Sequence, residues 1–564
     1  MNLKDISGVQ EVHSLVEKAR VAQEKLLNLS QSQIDQIVAN MVQAGLKNAE
    51  LLARLAAGET SIGRVESKIL KNRFAVQEVY KSCKDLRTVG VIGYDETQKC
   101  FEIAEPVGII AAIIPTTNPT STTLFKALIS LKSRNPVIFA PHPRAVRCIF
   151  ESAKIMHDAA VAAGAPLDCI GCIQEVSLTS TQELMKHKHV NFILATGGPG
   201  LVEAAYKSGK PAIGVGQGNA PAYIDRSADI QHAVKCIVES QMFDYGTVCA
   251  SEQSVVVDRA VLDKVRAEFQ RQKAYFLSPE EVVKLSSVVI QNGRMNANVV
   301  GHSAFDIAQQ AQLSVPIDTT VLLAPLEGVG ADYPLSHEKL CPVLGFYVAN
   351  DWQTGCERCI ELLCLEGKGH TLVIHATNPD VILEFGLQKP VSRILVNAPS
   401  SQGGVGLATH LVPSLTLGCG TYGGNITSDN ISAIHLIQKR RVATIREDFS
   451  LWPDKSKISP EILHLEFFPN FNVDSEFYCS IEPFSMDRDS IGSVWEISNI
   501  PNQTHSVSCQ TTNESAWEIP DLKKLKNDIQ SVNLGSQTTN ENKDVWEIPD
   551  LKKFKSDIRS VYWP

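Results

Sequence analysis

One stretch of the sequence combines a nucleophile with the backbone freedom to present it. In Phe243-Asp-Tyr-Gly-Thr-Val-Cys-Ala-Ser-Glu-Gln253, Cys249 follows apolar residues at helical spacing: Ile230, Ala233, Val234, Ile237, Val238 and Met242. Ser227 can cap that helix. A β-branched run, Ser254-Val-Val-Val-Asp258, follows the cysteine and reads as a buried strand. Cys249 thus sits on a connection between two rigid elements, and Gly246 gives the connection freedom. A thiolate held there can attack a carbonyl carbon. The competing reading is a small buried filler, the usual fate of a free cysteine, and Cys249 is one of 14.

Other polar islands offer partners for such a thiol. Asn118 lies in Pro115-Thr-Thr-Asn-Pro-Thr-Ser121, where its amide could hold an oxyanion or simply shape a turn between prolines. Thr196-Gly-Gly-Pro-Gly200 opens a helix after a strand, so its amides could face an anion; a plain tight turn fits equally. His337 and Glu338, and His370, fall in loops and are solvated unless the fold gathers them. Ser401–Gly406 and Leu417–Asn425 are glycine-dense, as loops in close approach to a ligand or a domain junction are.

The elements that must position these residues alternate. The spacing predicts helices over 8–57, ended by Gly58, and over 62–82. A hairpin over 88–104 follows. Strands are predicted at 106–114, 136–140, 190–195, 212–215 and 222–225, with helices at 120–132, 144–163 and 200–207. A second region, 251–420, carries helices at 260–275, 279–291, 303–312 and 352–366. Its strands are at 298–300, 320–324, 344–349, 371–375 and 393–397. This order predicts an α/β chain with parallel sheets, whose ligands bind beyond the carboxyl ends of the strands.

The totals exclude several classes. With 53 Lys and Arg against 62 Asp and Glu, the net charge of −9 argues against a general nucleic-acid binder. Cys356, Cys359 and Cys364 share one predicted helix and lack a matching His/Cys set, so no metal is expected. No apolar leader and no run of 18 apolar residues is present, which points to the cytoplasm and no membrane.

The ordered motifs resemble the aldehyde dehydrogenase superfamily. They are closest to the CoA-acylating aldehyde dehydrogenases, as in the N-terminal half of bifunctional aldehyde-alcohol dehydrogenases. The likeness spans roughly residues 5–452. Its anchors include Glu105-Pro-Val-Gly-Ile-Ile, Pro115-Thr-Thr-Asn-Pro, Ala195-Thr-Gly-Gly-Pro-Gly, Val248-Cys-Ala-Ser-Glu-Gln, His337-Glu-Lys-Leu, Gly369-His-Thr and Pro413-Ser-Leu-Thr-Leu-Gly. The resemblance implies a Rossmann-like NAD-binding domain over 1–242 and a catalytic domain over 243–423. The hairpin 88–104, completed by 424–450, would form an oligomerisation unit. It makes Cys249 the nucleophile, Asn118 the oxyanion donor, and His370 an assistant at the thioester or the CoA thiol. It assigns NAD contacts to Ile113, Ile114, Pro115, Thr116, Thr117, Asn118, Gly198, Gly216, Glu338 and Leu417. CoA is implied as co-substrate. In hydrolytic relatives a glutamate activates water where this chain has Val215, and valine cannot act as a base. His142 stands where a lysine usually meets the adenosine ribose. The implied reaction joins a short aldehyde, acetaldehyde foremost, to CoA; succinate semialdehyde and propionaldehyde are alternatives, as is a scaffold on the same fold.

Beyond Pro453 the resemblance stops. Residues 453–490 read as a linker. Within 491–564, Gln510-Thr-Thr-Asn-Glu and Trp517-Glu-Ile-Pro-Asp-Leu-Lys-Lys recur as Gln537-Thr-Thr-Asn-Glu and Trp546-Glu-Ile-Pro-Asp-Leu-Lys-Lys, with Trp517 and Trp546 set 29 residues apart, and Val494-Trp-Glu-Ile497 is a partial third copy. Each full copy encodes a short amphipathic helix, with Pro520 or Pro549 in its first turn. The repeats read as a multivalent docking tail for a protein partner, or as helices that pack on the chain itself.

Overall fold

The computed structural model describes residues 3–443, and the linker and repeat-bearing tail lie outside the described residues. Two parallel sheets dominate. Their strands are apolar on both faces because helices cover both sides. The first sheet has five strands in the order Ile170–Cys172, Val137–Ala140, Ile110–Ile113, Phe192–Thr196, Ala212–Val215. Helix Pro119–Lys132, buried along its whole length, packs beside it. The second sheet has seven strands: Tyr275–Phe276, Leu322–Pro325, Val343–Ala349, Glu252–Asp258, Ala220–Ile224, Gly369–His375 and Val391–Val396. The strand after Cys249 is therefore central in that sheet, paired on both sides.

An antiparallel trio stands apart. Gly90–Asp95 and Cys100–Pro106 form the expected hairpin, and Ile437–Ala443 adds a third strand beside Cys100–Pro106. Lys439 and Arg440 reach across it to Glu102 (2.7 Å) and Glu105 (3.0 Å).

Several expectations are corrected. Ala212–Val215 and Ala220–Ile224 belong to different sheets, so the chain changes sheets at 216–219 and not near 242. Two adjacent apolar runs do not reveal which sheet each joins. The strand expected over 106–114 breaks at Gly108, whose φ of 107° and contact with Asn191 turn the chain between sheets. Gly58 does not end its helix; the helix runs to Thr60, and Ser61 caps it in the left-handed region. Asp229, not Ser227, caps the helix before Cys249 by accepting from the His232 amide. The 298–300 segment is a turn in which Val299 and Val300 are buried without joining a ladder. The short helices Leu178–Lys186 and Pro379–Gln388 went unread. Cys169/Cys172 and Cys356/Cys359 have C-x-x-C spacing, yet all four are free thiols. Among the described residues no helix is long and apolar enough to cross a membrane.

Candidate active site

The loop that carries Cys249 is wound against its preferences. Asp244, Tyr245 and Gly246 follow helix Ile230–Met242 with φ of 55°, 53° and 71°. Left-handed non-glycine residues each cost about 1–3 kcal/mol unless their surroundings over-determine them. A buried polar network does so here. Asp244 accepts from the Arg64 amide (2.6 Å), Lys68 Nζ (3.0 Å), Lys71 Nζ (2.5 Å) and Thr247 Oγ1 (3.0 Å). Burial would raise its carboxyl, but Lys71 and Lys68 outweigh that and hold it down to about 2.

This network also reaches Asn118. That residue precedes helix Pro119–Lys132, and its Oδ1 accepts from Lys71 Nζ at 2.6 Å. Its Nδ2 donates to the Thr247 carbonyl (3.3 Å) and Thr117 Oγ1 (3.2 Å). The amide and the nucleophile loop are therefore neighbours through Thr247. Cys249 itself is half-buried. Burial, with Glu338 and Cys419 nearby, pushes its thiol up to about 12, while Arg393 pulls it down. Raised that far it is a thiol at neutral pH, and a bound ligand or base must assist its ionisation.

A cavity of about 820 Å³ opens at the carboxyl ends of the first sheet's strands and reaches Cys249. The loops after Ile113, Thr196 and Val215 wall it, so Ile114–Asn118, Gly198 and Gly216 line it together with Glu338 and Leu417. Val215 faces it as well. Two expected site residues lie elsewhere. Ile113 stays inside its strand, where its carbonyl accepts from Lys126 Nζ (2.9 Å). His370 is fully buried behind Gly218: a Cβ on that glycine would meet the Cys249 carbonyl and, at 3.1 Å, the His370 ring. His370 Nδ1 pairs with Thr371 Oγ1 at 2.9 Å, and its Nε2 has no partner among the described residues. Burial and the neighbouring Arg393 hold the imidazole neutral, with its pKa pushed down to about 3.

Glu338 accepts from the Gly218 amide at 2.8 Å, and its own amide donates to Glu366 (2.9 Å). Burial raises its carboxyl to about 8. The sequence reading missed Lys68, Lys71 and Asp244. The available signal was two lysines three apart on the face of a helix that also carries Phe74 and Ala75, all buried.

Residues 5–278 match the aldehyde dehydrogenase family. The chain is 45% identical over 452 residues to the bifunctional aldehyde-alcohol dehydrogenase AdhE of Escherichia coli, covering 79% of this chain and 51% of that protein. It thus spans about half the length of that relative. It is 35% identical over 444 residues to the succinate-semialdehyde dehydrogenase (acetylating) of Clostridium kluyveri, covering 78% of this chain and 98% of that one. The chain belongs to the aldehyde dehydrogenase family. A crystal structure of an acetylating aldehyde dehydrogenase from Geobacillus thermoglucosidasius shares its fold at a TM-score of 0.78 and 49% identity, covering 80% of this chain and 99% of that chain. Within this aldehyde dehydrogenase fold, Arg393 ties the glycine-rich loop to the segment 428–430. It donates to the Gly418 carbonyl (2.5 Å), the Ser428 carbonyl (3.3 Å) and Asn430 Oδ1 (3.2 Å).

Proposed function

We propose that this chain is a CoA-acylating aldehyde dehydrogenase, interconverting a short-chain aldehyde, CoA and NAD with acyl-CoA and NADH. One observation carries the reading: Cys249 and Asn118 share a cleft with Val215, the position at which the resemblance implies a water-activating glutamate in hydrolytic enzymes. The thiol of Cys249, once ionised, attacks the aldehyde carbon. The developing oxyanion is met by Asn118 Nδ2, whose present partners are long and easily exchanged. The residues lining the cleft fit a dinucleotide: the glycine loops at 197–200 and 216, the N-terminal end of helix Pro199–Lys207, and the Glu338 carboxyl for a ribose hydroxyl. A bound nicotinamide supplies the hydride acceptor. Oxidised at that carbon, the substrate would remain on Cys249 as an acyl thioester.

Val215 offers no base to water, so the thioester persists. The resemblance assigns His370 to the second half; it is buried behind Gly218 and outside the cleft lining, so its unpartnered Nε2 would take the proton of the CoA thiol only once the 216–219 crossing moves aside. The CoA thiolate attacks the acyl carbon and Cys249 leaves as thiolate. Acetaldehyde is the substrate that the likeness to the bifunctional dehydrogenases favours; succinate semialdehyde or propionaldehyde would use the same chemistry. We further propose that the first sheet and its helices form the cofactor domain. The edge strand Ile437–Ala443 would serve assembly into oligomers in the cytoplasm. The repeats of 491–564 would dock a protein partner. Cys249→Ala tests the core of the reading: it should abolish CoA-dependent NADH formation, and retained turnover would sink it.

A further inference from the structure

Lys71 is buried, and its ammonium has three donors and three acceptors: Asp244 Oδ2 at 2.5 Å, Asn118 Oδ1 at 2.6 Å and Thr247 Oγ1 at 3.1 Å. Lys68 supplies a second buried cation, bonded to Asp244 Oδ2 (3.0 Å) and the Thr117 carbonyl (3.2 Å). Two ammonium groups thus face one carboxylate. Stability alone does not account for this arrangement, since buried ion pairs are often matched or bettered by apolar residues of similar volume. With Lys68 already on Asp244, Lys71 is the member that extends the network to Asn118.

The oxygen and nitrogen of an asparagine amide are nearly the same size, so only hydrogen bonding decides which faces where. An ammonium can donate but not accept. It therefore selects Oδ1 and leaves Nδ2 turned away from it. That nitrogen holds only two longer bonds, to the Thr247 carbonyl and Thr117 Oγ1, on the loop that leads to Cys249. A flipped amide would present a carbonyl oxygen to a developing oxyanion and repel it.

We infer that Lys71 is a positioning residue that fixes the Asn118 amide so that Nδ2 faces the carbonyl oxygen of the group carried on Cys249. The inference rests on the reading of Cys249 and Asn118 given above. Lys68 is not assigned this role, because its bonds go to Asp244 and the Thr117 carbonyl.

The test is a double-mutant cycle on the full chain, with kcat and KM measured for aldehyde in the presence of NAD and CoA. Asn118→Ala should lower kcat by about 10²–10³-fold, the usual loss for one oxyanion donor. Lys71→Met should lower kcat by roughly tenfold to 10³-fold, with KM changed less than about threefold. In the Asn118→Ala background, Lys71→Met should change kcat by less than about threefold. An equal loss in both backgrounds, or no loss from Lys71→Met in the wild-type background, would overturn the inference. Full kcat in Asn118→Ala alone would instead overturn the underlying assignment of Asn118. Lys68 remains on Asp244 in Lys71→Met, which favours folding. If that variant does not fold, Lys71→Met/Asp244→Asn removes the opposed charges together, and the same cycle with Asn118→Ala decides.

Discussion

An alanine at position 218 would drive its Cβ roughly 1 Å inside ordinary carbon–oxygen contact with the Cys249 carbonyl, and to 3.1 Å from the His370 ring. Neither side gives way easily. The Cys249 loop is pinned by the Asp244 network, and the crossing at 216–219 is pinned by bonds from the Gly218 amide to Glu338 (2.8 Å) and from Asn219 to the Ser336 (2.9 Å) and Leu362 (3.1 Å) carbonyls. Overpacking of this kind costs about 1–3 kcal/mol. A shift of roughly 1 Å in a reacting group can lower the rate about 100-fold. Gly218→Ala should therefore lose about two orders of magnitude in CoA-dependent kcat while unfolding in urea with only that modest loss. Gly386→Ala is the control: nothing lies within 4 Å of its Cβ, and it sits in helix Pro379–Gln388. It should keep full activity and gain about 0.5–1 kcal/mol. Gly218→Ala within about twofold of wild type would refute the tight packing of the crossing against the nucleophile loop.

Glu252 gives a pH signature. It is fully buried, and Oε1 accepts from the Ser400 amide (2.9 Å) while Oε2 is unpartnered among the described residues. Burial pushes its carboxyl up to about 7 from an ordinary 4.5. The folded chain then holds the proton more tightly than the unfolded chain, so this group's stabilisation, full below pH 4.5, is lost as pH rises through 7. Glu252→Gln should unfold about 3 kcal/mol less easily at pH 8 than wild type, with little gain at acid pH; equal pH slopes in urea unfolding would contradict this. His370→Ala should keep a stoichiometric burst of NADH from aldehyde and NAD in rapid mixing, while CoA-dependent turnover falls about 10²–10⁴-fold. A lost burst would place His370 in the first half-reaction instead.

Much of the scaffold was legible because buried parallel strands announce themselves as short apolar runs. Val137–Ala140, Val343–Ala349 and Gly369–His375 fall where periodicity put them, give or take two residues. The sheet switch at 216–219 was not legible, because pairing partners lie far away in sequence: Ala220–Ile224 slots between strands that begin at residues 252 and 369. Cys249 and Asn118 were candidates by residue type, but local sequence left a buried filler and a turn residue equally open, and only the ordered set of motifs assigned their roles. Lys71 was not a candidate, because a lysine among apolar residues on a helix reads as a solvated edge until the fold closes Asp244 over it. Gly218 was likewise silent, since its role is a contact with a residue 31 positions away, Cys249.

The central claim is that Cys249 passes its acyl group to CoA and not to water. Its most direct measurement is NADH formation from acetaldehyde and NAD by the full chain, followed with and without CoA. A single burst of about one NADH per site is expected without CoA, and sustained turnover once CoA is added. Sustained turnover without CoA would contradict it, because some other group would then be activating water in spite of Val215.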